Sequence, residues 1–145
     1  MAFKYQLILW AALVIVLAAA SASVQQACIP GQQITYDSLH ACSDYVVRQT
    51  CGFEPYYVSV ETMKKRCCEQ LSGVSSYCRC EVVRILMEGI VNKRGEVVGS
   101  LLQDWPRCKS LTREYIAGIV GRGECNLETI LGRPECPTAY LGAVV

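Results

Sequence analysis

The 145-residue chain carries 14 lysines and arginines, 13 aspartates and glutamates, a single histidine and ten cysteines. Its charge is balanced, and its only basic triple is Lys64-Lys65-Arg66. That argues against nucleic acid or an anionic membrane as the main partner and leaves the triple to be read as a solvated helix face.

The first 22 residues read as a secretory signal peptide. Lys4 supplies the charged start, residues 7–20 form an apolar run, and Ala20-Ser21-Ala22 fits the small-residue cleavage rule. The run is shorter than the roughly 20 residues a membrane span needs. Cleavage is expected after Ala22, with Ser23 as the new N-terminus and residues 23–145 as one domain. Removing Lys4 leaves thirteen basic and thirteen acidic residues. The sequence contains no internal repeat, low-complexity tract or Asn-x-Ser/Thr glycosylation site.

Residues 23–37 read as an irregular arm containing Pro30-Gly31 and tethered by Cys28. Ser38 is placed to cap a first helix over residues 39–50, with Leu39, Cys42, Tyr45 and Val46 on an inner stripe that Gln49 interrupts. Gly52 ends it, and residues 53–58 form a loop with Pro55 between aromatics. Ser59 caps a second helix over residues 60–72, with Glu61 in its first turn, Gly73 after it, and Val60, Met63, Cys67 and Leu71 inward. A third helix over residues 76–90 buries Cys80, Val83, Met87 and Ile90, and places Arg84 and Glu88 one turn apart on its outer face. Residues 92–99 are a polar loop turning at Arg94-Gly95. Ser110 caps a fourth helix over residues 111–120, with Leu111, Tyr115, Ile116 and Ile119 inward. The tail from Gly123 is irregular and pinned by Cys125 and Cys136. The expected fold is all-α: four short helices in a disulfide-stapled bundle with irregular loops and tail.

All ten cysteines follow the signal segment, and an even number in a small secreted chain reads as a disulfide framework. Composition alone leaves about 945 pairings open. Cys67-Cys68 and Cys78-Arg79-Cys80 place four cysteines in fourteen residues. Neighbouring cysteines bond each other only with backbone strain, and on a helix they point about 100° apart. Each of the four is therefore expected to reach a different partner, making this stretch the hub of the framework.

Little in the sequence suggests catalysis. A Ser-His-Asp arrangement needs a histidine, and His40 beside Ala41-Cys42 reads as structural. Ten paired cysteines leave no thiol nucleophile. No phosphate-binding or dinucleotide glycine pattern occurs. No metal or cofactor site is expected, because neither clustered C-x-x-C pairs nor paired histidines are present. Trp105, Tyr45 and Tyr115 read as core. Tyr56 and Tyr57 differ: they follow Pro55 in a loop between Cys51 and Cys67, and tyrosine on a rigid loop is a favoured interface anchor.

The cysteine order, C…C…C…CC…C-x-C…C…C…C, is recognisable. Without Cys51 and Cys108 it resembles the eight-cysteine pattern of plant lipid-transfer proteins and 2S seed albumins. With all ten it resembles the cereal-seed α-amylase/trypsin inhibitor family. Local strings carry the resemblance across nearly the whole chain: Ser23-Val24, Cys28-Ile29-Pro30-Gly31, Met63-Lys64, Arg66-Cys67-Cys68, Tyr77-Cys78-Arg79-Cys80-Glu81, Arg84-Ile85-Leu86-Met87 and Glu124-Cys125-Asn126-Leu127. The resemblance implies the pairs Cys28–Cys78, Cys42–Cys67, Cys51–Cys108, Cys68–Cys125 and Cys80–Cys136. It also implies a secreted, non-enzymatic seed protein that blocks an α-amylase, a serine protease, or both, from insects or mammals, with self-association possible.

Two site assignments follow from the resemblance. The protease-reactive loop maps to Pro55, Tyr56 and Tyr57, where trypsin-inhibiting members carry Pro-Arg-Leu. Here the loop is also one residue longer before the Cys-Cys pair. Trypsin's primary pocket requires a cation and Tyr56 supplies none, so an aromatic here suits a chymotrypsin-like pocket instead. Amylase contact maps to Ser23, Val24, Gln25 and Gln26, whose free amine could meet catalytic carboxylates. The competing readings are a lipid-transfer-like carrier, against which the additional Cys51 and Cys108 count, and a 2S-albumin-like storage protein, whose glutamine richness the chain lacks.

Overall fold

The computed structural model describes residues 28–34, 39–52 and 57–141. The signal segment, Ser23–Gln26, the proposed Ser38 cap, Pro55 and Tyr56 lie outside the described residues.

Helix α1 (His40–Cys51) and helix α2 (Val60–Ser72) form an antiparallel pair. Cross-links fix the direction. Near the start of α1, the Ala41 amide donates to Gln70 Oε1 and Cys42 is bonded to Cys67. Near its end, Arg48 Nη1 donates to the Val58 carbonyl just before α2. Cys42, Tyr45, Val46 and Val47 of α1 are buried against Met63, Cys67 and Leu71 of α2. Gln49 is exposed, as expected of the residue that breaks the stripe.

Helix α2 has the bounds its sequence signals predict. Ser59 accepts a hydrogen bond from the Thr62 amide at 3.2 Å. Gly73 stops it as expected, as a C-cap in right-handed backbone (φ −68°) whose N–H bonds the Glu69 carbonyl. Arg79 donates to the Ser72 carbonyl and to the Leu71 carbonyl, which also accepts from the Val74 amide, and its third donor reaches the Glu128 carbonyl in the tail.

Helix α3 (Arg79–Glu88) is shorter at both ends than residues 76–90. A turn closed by Cys78 N–H to the Ser75 carbonyl precedes it. Gly89 ends it at φ +77°, where a Cβ would lie 2.6 Å from the Val98 carbonyl. The chain then enters an antiparallel hairpin, β1 (Ile90–Val91) with β2 (Val97–Val98), with Ile90 opposite Val98 and Val91 opposite Val97. The expected polar loop is thus a hairpin, and Ile90 is a half-buried strand residue rather than the end of the α3 stripe.

A one-turn helix α4 (Leu101–Asp104) follows, capped by Ser100, whose hydroxyl also donates to the Met87 carbonyl at 2.8 Å. Helix α5 (Arg113–Gly118) is capped by Thr112 rather than Ser110. A 3-10 turn (Thr138–Leu141) closes the described chain. α3 packs on α4, α5 and this turn. The core is filled by Tyr45, Leu71, Val83, Met87, Ile116 and Ile119, and the all-α expectation holds apart from the small hairpin.

Five disulfides tie these elements: Cys28–Cys78, Cys42–Cys67, Cys51–Cys108, Cys68–Cys125 and Cys80–Cys136. They are the pairs the family resemblance implies, and no cysteine is free. Cys67 and Cys68 point to α1 and to the tail respectively. Cys78 and Cys80 reach the N-terminal arm and the tail.

Candidate functional site

The connection between α1 and α2 is held at both ends. On entry, Cys51 is the last residue of α1 and is bonded to Cys108, while Gly52 turns the chain with φ +64° and ψ +20°. This is the left-handed region, which glycine enters without a Cβ penalty and which commonly ends helices. The Thr50 hydroxyl lies 3.4 Å from Cys51 Sγ and 3.6 Å from Cys108 Sγ. On exit, Tyr57 is fully exposed, Arg48 holds the Val58 carbonyl, and Ser59 starts α2. Cys67, further along α2, is fixed to Cys42. The seven-residue connection from Gly52 to Val58 therefore springs from a disulfide-fixed entry and a hydrogen-bonded exit, with Pro55 and Tyr56 within its span.

The N-terminal arm is anchored elsewhere. Cys28 is bonded to Cys78, one residue before Arg79, whose guanidinium caps the far end of α2. Beyond Cys28, a turn at Pro30–Ile34 is closed by Gly31 N–H to the Ile34 carbonyl, with Ile34 buried. At 1.5 Å per residue, the 13-residue α2 separates the arm anchor from the loop by about 20 Å. The Cys28 anchor and the described ends of the loop thus lie at opposite ends of α2.

His40, the only histidine, is exposed at the start of α1 with Nδ1 3.2 Å from Asp44 Oδ2. This is a contact one helical turn apart on the surface. Lys64 is 3.1 Å from Glu124 and Lys65 is 4.0 Å from Glu69, so two members of the basic triple are engaged in ion pairs on the α2 surface. Tyr45 is buried and Tyr115 half-buried, as expected. Trp105, half-buried like Tyr115, packs against the core from its edge and also lines a surface cleft with Cys51, Asp104, Pro106, Arg107 and Cys108. Sequence reading missed this cleft and the Arg48–Val58 brace. The only local signal for the brace was a basic residue in the last turn of α1.

Residues 21–129 match the protease inhibitor/seed storage/LTP family. The chain belongs to this family. A trypsin/α-amylase inhibitor of Triticum aestivum, CMX1/CMX3, is 62% identical over 123 residues, or 84% of this chain and 99% of that protein. The trypsin inhibitor CMe of Hordeum vulgare is 42% identical over 144 residues, or 98% of this chain and 97% of that protein. A bifunctional trypsin/α-amylase inhibitor from seeds of Eleusine coracana superimposes with a TM-score of 0.63 at 45% identity, over 85% of this chain and all of that one. The all-α fold is that of this family.

Proposed function

We propose that the chain is a secreted, non-enzymatic inhibitor of digestive hydrolases, facing a serine protease with the loop after Cys51 and an α-amylase with the arm before Cys28. The observation that carries the protease half is Tyr57. It stands fully exposed on a connection whose entry is fixed by Cys51–Cys108 and whose exit is held by Arg48 on the Val58 carbonyl. A loop held this way loses little entropy when a protease closes on it, and exposed tyrosine is a strong interface anchor. Tyr56 in the primary pocket would favour a chymotrypsin-like enzyme over trypsin. Similarity to bifunctional inhibitors supports the amylase half, with the Ser23 amine and residues 23–26 entering the amylase cleft. The lipid-carrier alternative is disfavoured by the additional Cys51–Cys108 bridge and by the similarity to trypsin/α-amylase inhibitors.

The experiment is a panel of insect and mammalian α-amylases with trypsin and chymotrypsin, titrated against residues 23–145 and against a form lacking residues 23–26. Amylase inhibition lost on truncation, with protease inhibition kept, is expected. Undiminished amylase inhibition by the truncated form would move that site off the arm.

A further inference from the structure

The reactive loop is too small to account for a stable protease complex. Protease–inhibitor interfaces bury roughly 800 Å² per partner and engage about 20–30 residues a side. The connection from Gly52 to Val58 supplies seven. The remainder must come from surface that flanks the loop and keeps a fixed position relative to it. On the exit side that surface is the polar first turn of α2, with Ser59, Glu61 and Thr62. On the entry side it is the cleft of Cys51, Asp104, Trp105, Pro106, Arg107 and Cys108.

Resting on the loop assignment above, we propose that this cleft is a second contact surface for the same protease. It would receive an apolar side chain from the rim of the substrate channel on Trp105 and Pro106, and a rim carboxylate at Arg107. Three observations favour this occupant. The Cys51–Cys108 bond makes the cleft floor continuous with the loop entry, so a protease seated on the loop is brought over the cleft. The cleft wall is pre-formed: Trp105 N–H bonds the Leu101 carbonyl at 3.1 Å, Cys108 N–H bonds the Trp105 carbonyl at 3.0 Å, and Pro106 fixes the backbone between them. Its composition is that of interface hot spots, with a half-buried tryptophan beside an exposed arginine. Arg107 is exposed and makes no ion pair among the described residues, and exposed Lys109 next to the disulfide adds a second cation, so the two outnumber the exposed Asp104 carboxylate at the same cleft.

The test uses residues 23–145 and whichever of trypsin and chymotrypsin the natural chain inhibits more tightly. Arg107→Glu lies on exposed surface, and a circular-dichroism match to the natural chain will check its fold. It is expected to raise the inhibition constant tenfold or more, and to flatten the loss of affinity between 0.05 and 0.5 M salt, because a rim charge pair is screened. Trp105→Ala, checked in the same way, should weaken inhibition as well. Arg133→Glu, on the tail, should not. If Tyr56→Ala abolishes inhibition while Arg107→Glu and folded Trp105→Ala leave it unchanged, the cleft proposal falls and the loop assignment stands. If Tyr56→Ala leaves inhibition intact, the loop assignment falls and this proposal with it.

Discussion

The Tyr45 hydroxyl donates a 2.6 Å hydrogen bond to Glu124 Oε2, joining α1 to the tail across 79 residues of sequence. Tyr45 is only 2% exposed, and the Lys64 ammonium lies 3.1 Å from the same carboxylate oxygen. Burial, then the Glu124 hydrogen bond and charge, push the Tyr45 phenol above its ordinary value of 10.0. A phenol whose folded pKa is raised stabilises the fold fully below pH 10, and that contribution is lost as pH climbs further. Guanidinium unfolding should therefore show stability falling above pH 10. Tyr45→Phe should cost about 1–2 kcal/mol at pH 7 and flatten the alkaline limb. Some slope should remain from Tyr115, which burial and then the Glu124 charge also raise. An alkaline limb unchanged in the variant would show that Tyr45 is not its source.

Glu88 binds two arginines from different helices. Its Oε2 accepts from Arg84 of α3 at 2.8 Å and its Oε1 from Arg113 of α5, while Arg84 also pairs with Glu81. Arg113 first, and Arg84 after it, hold the Glu88 carboxyl below its ordinary value of 4.5. A depressed carboxylate stabilises above its unfolded pKa and loses that contribution as pH falls below it. These side chains are about a third exposed, so solvent screening limits the effect. Glu88→Gln should cost about 1 kcal/mol at pH 7 and nothing near pH 2. Equal losses at both pH values would mean that packing, not charge, holds the residue.

The Cys51–Cys108 bond should matter more to inhibition than to folding. The Cys51→Ser/Cys108→Ser pair leaves four disulfides and the core untouched but frees the loop entry. Protease inhibition should fall tenfold or more, while amylase inhibition stays, because the arm anchor lies about 20 Å away along α2. Loss of some 2–4 kcal/mol of stability is expected as well. Peptide mapping of the unreduced natural chain should recover Cys51 linked to Cys108. A parallel fall in both inhibitory activities would show that the two ends are not independent.

Local signals were enough where a segment's structure depends on itself. Ser59, Glu61 and Gly73 bracket α2 in the sequence as they do in space. They were insufficient where distant bonds decide. Both Ser110 and Thr112 can cap a helix. Thr112 does so because Leu111 N–H closes a turn onto the carbonyl of Cys108, which the bond to Cys51 holds in place. α3 stops early because Gly89 must pass beside the Val98 carbonyl, a contact that exists only once the hairpin has formed. The hairpin had a local sign in the paired β-branched residues Ile90-Val91 and Val97-Val98, outweighed by the polar run between them. Asn92 holds that run, its Oδ1 accepting from the Arg94 and Glu96 amides. The cleft at Trp105 was invisible in sequence because Cys51 and Trp105 meet only through a bond 57 residues long.

On the loop assignment proposed above, Pro55-Tyr56-Tyr57 in place of Pro-Arg-Leu should govern which protease the loop accepts. A substrate-like inhibitor places one side chain in the primary pocket, and trypsin's pocket ends in a carboxylate that a phenol cannot neutralise. Leaving that charge buried and unpaired costs several kcal/mol, which is orders of magnitude in affinity. Glu54, two residues earlier, adds negative charge near an acidic pocket. The natural chain should therefore inhibit chymotrypsin more tightly than trypsin. Tyr56→Arg with Tyr57→Leu should reverse that order and tighten trypsin binding a hundredfold or more, without altering amylase inhibition. The extra residue in the loop adds a second arm to the measurement: deleting Glu54 from the double variant should strengthen trypsin inhibition further by restoring the shorter loop. Tight trypsin inhibition by the natural chain that survives Tyr56→Ala would place the reactive site elsewhere on the molecule.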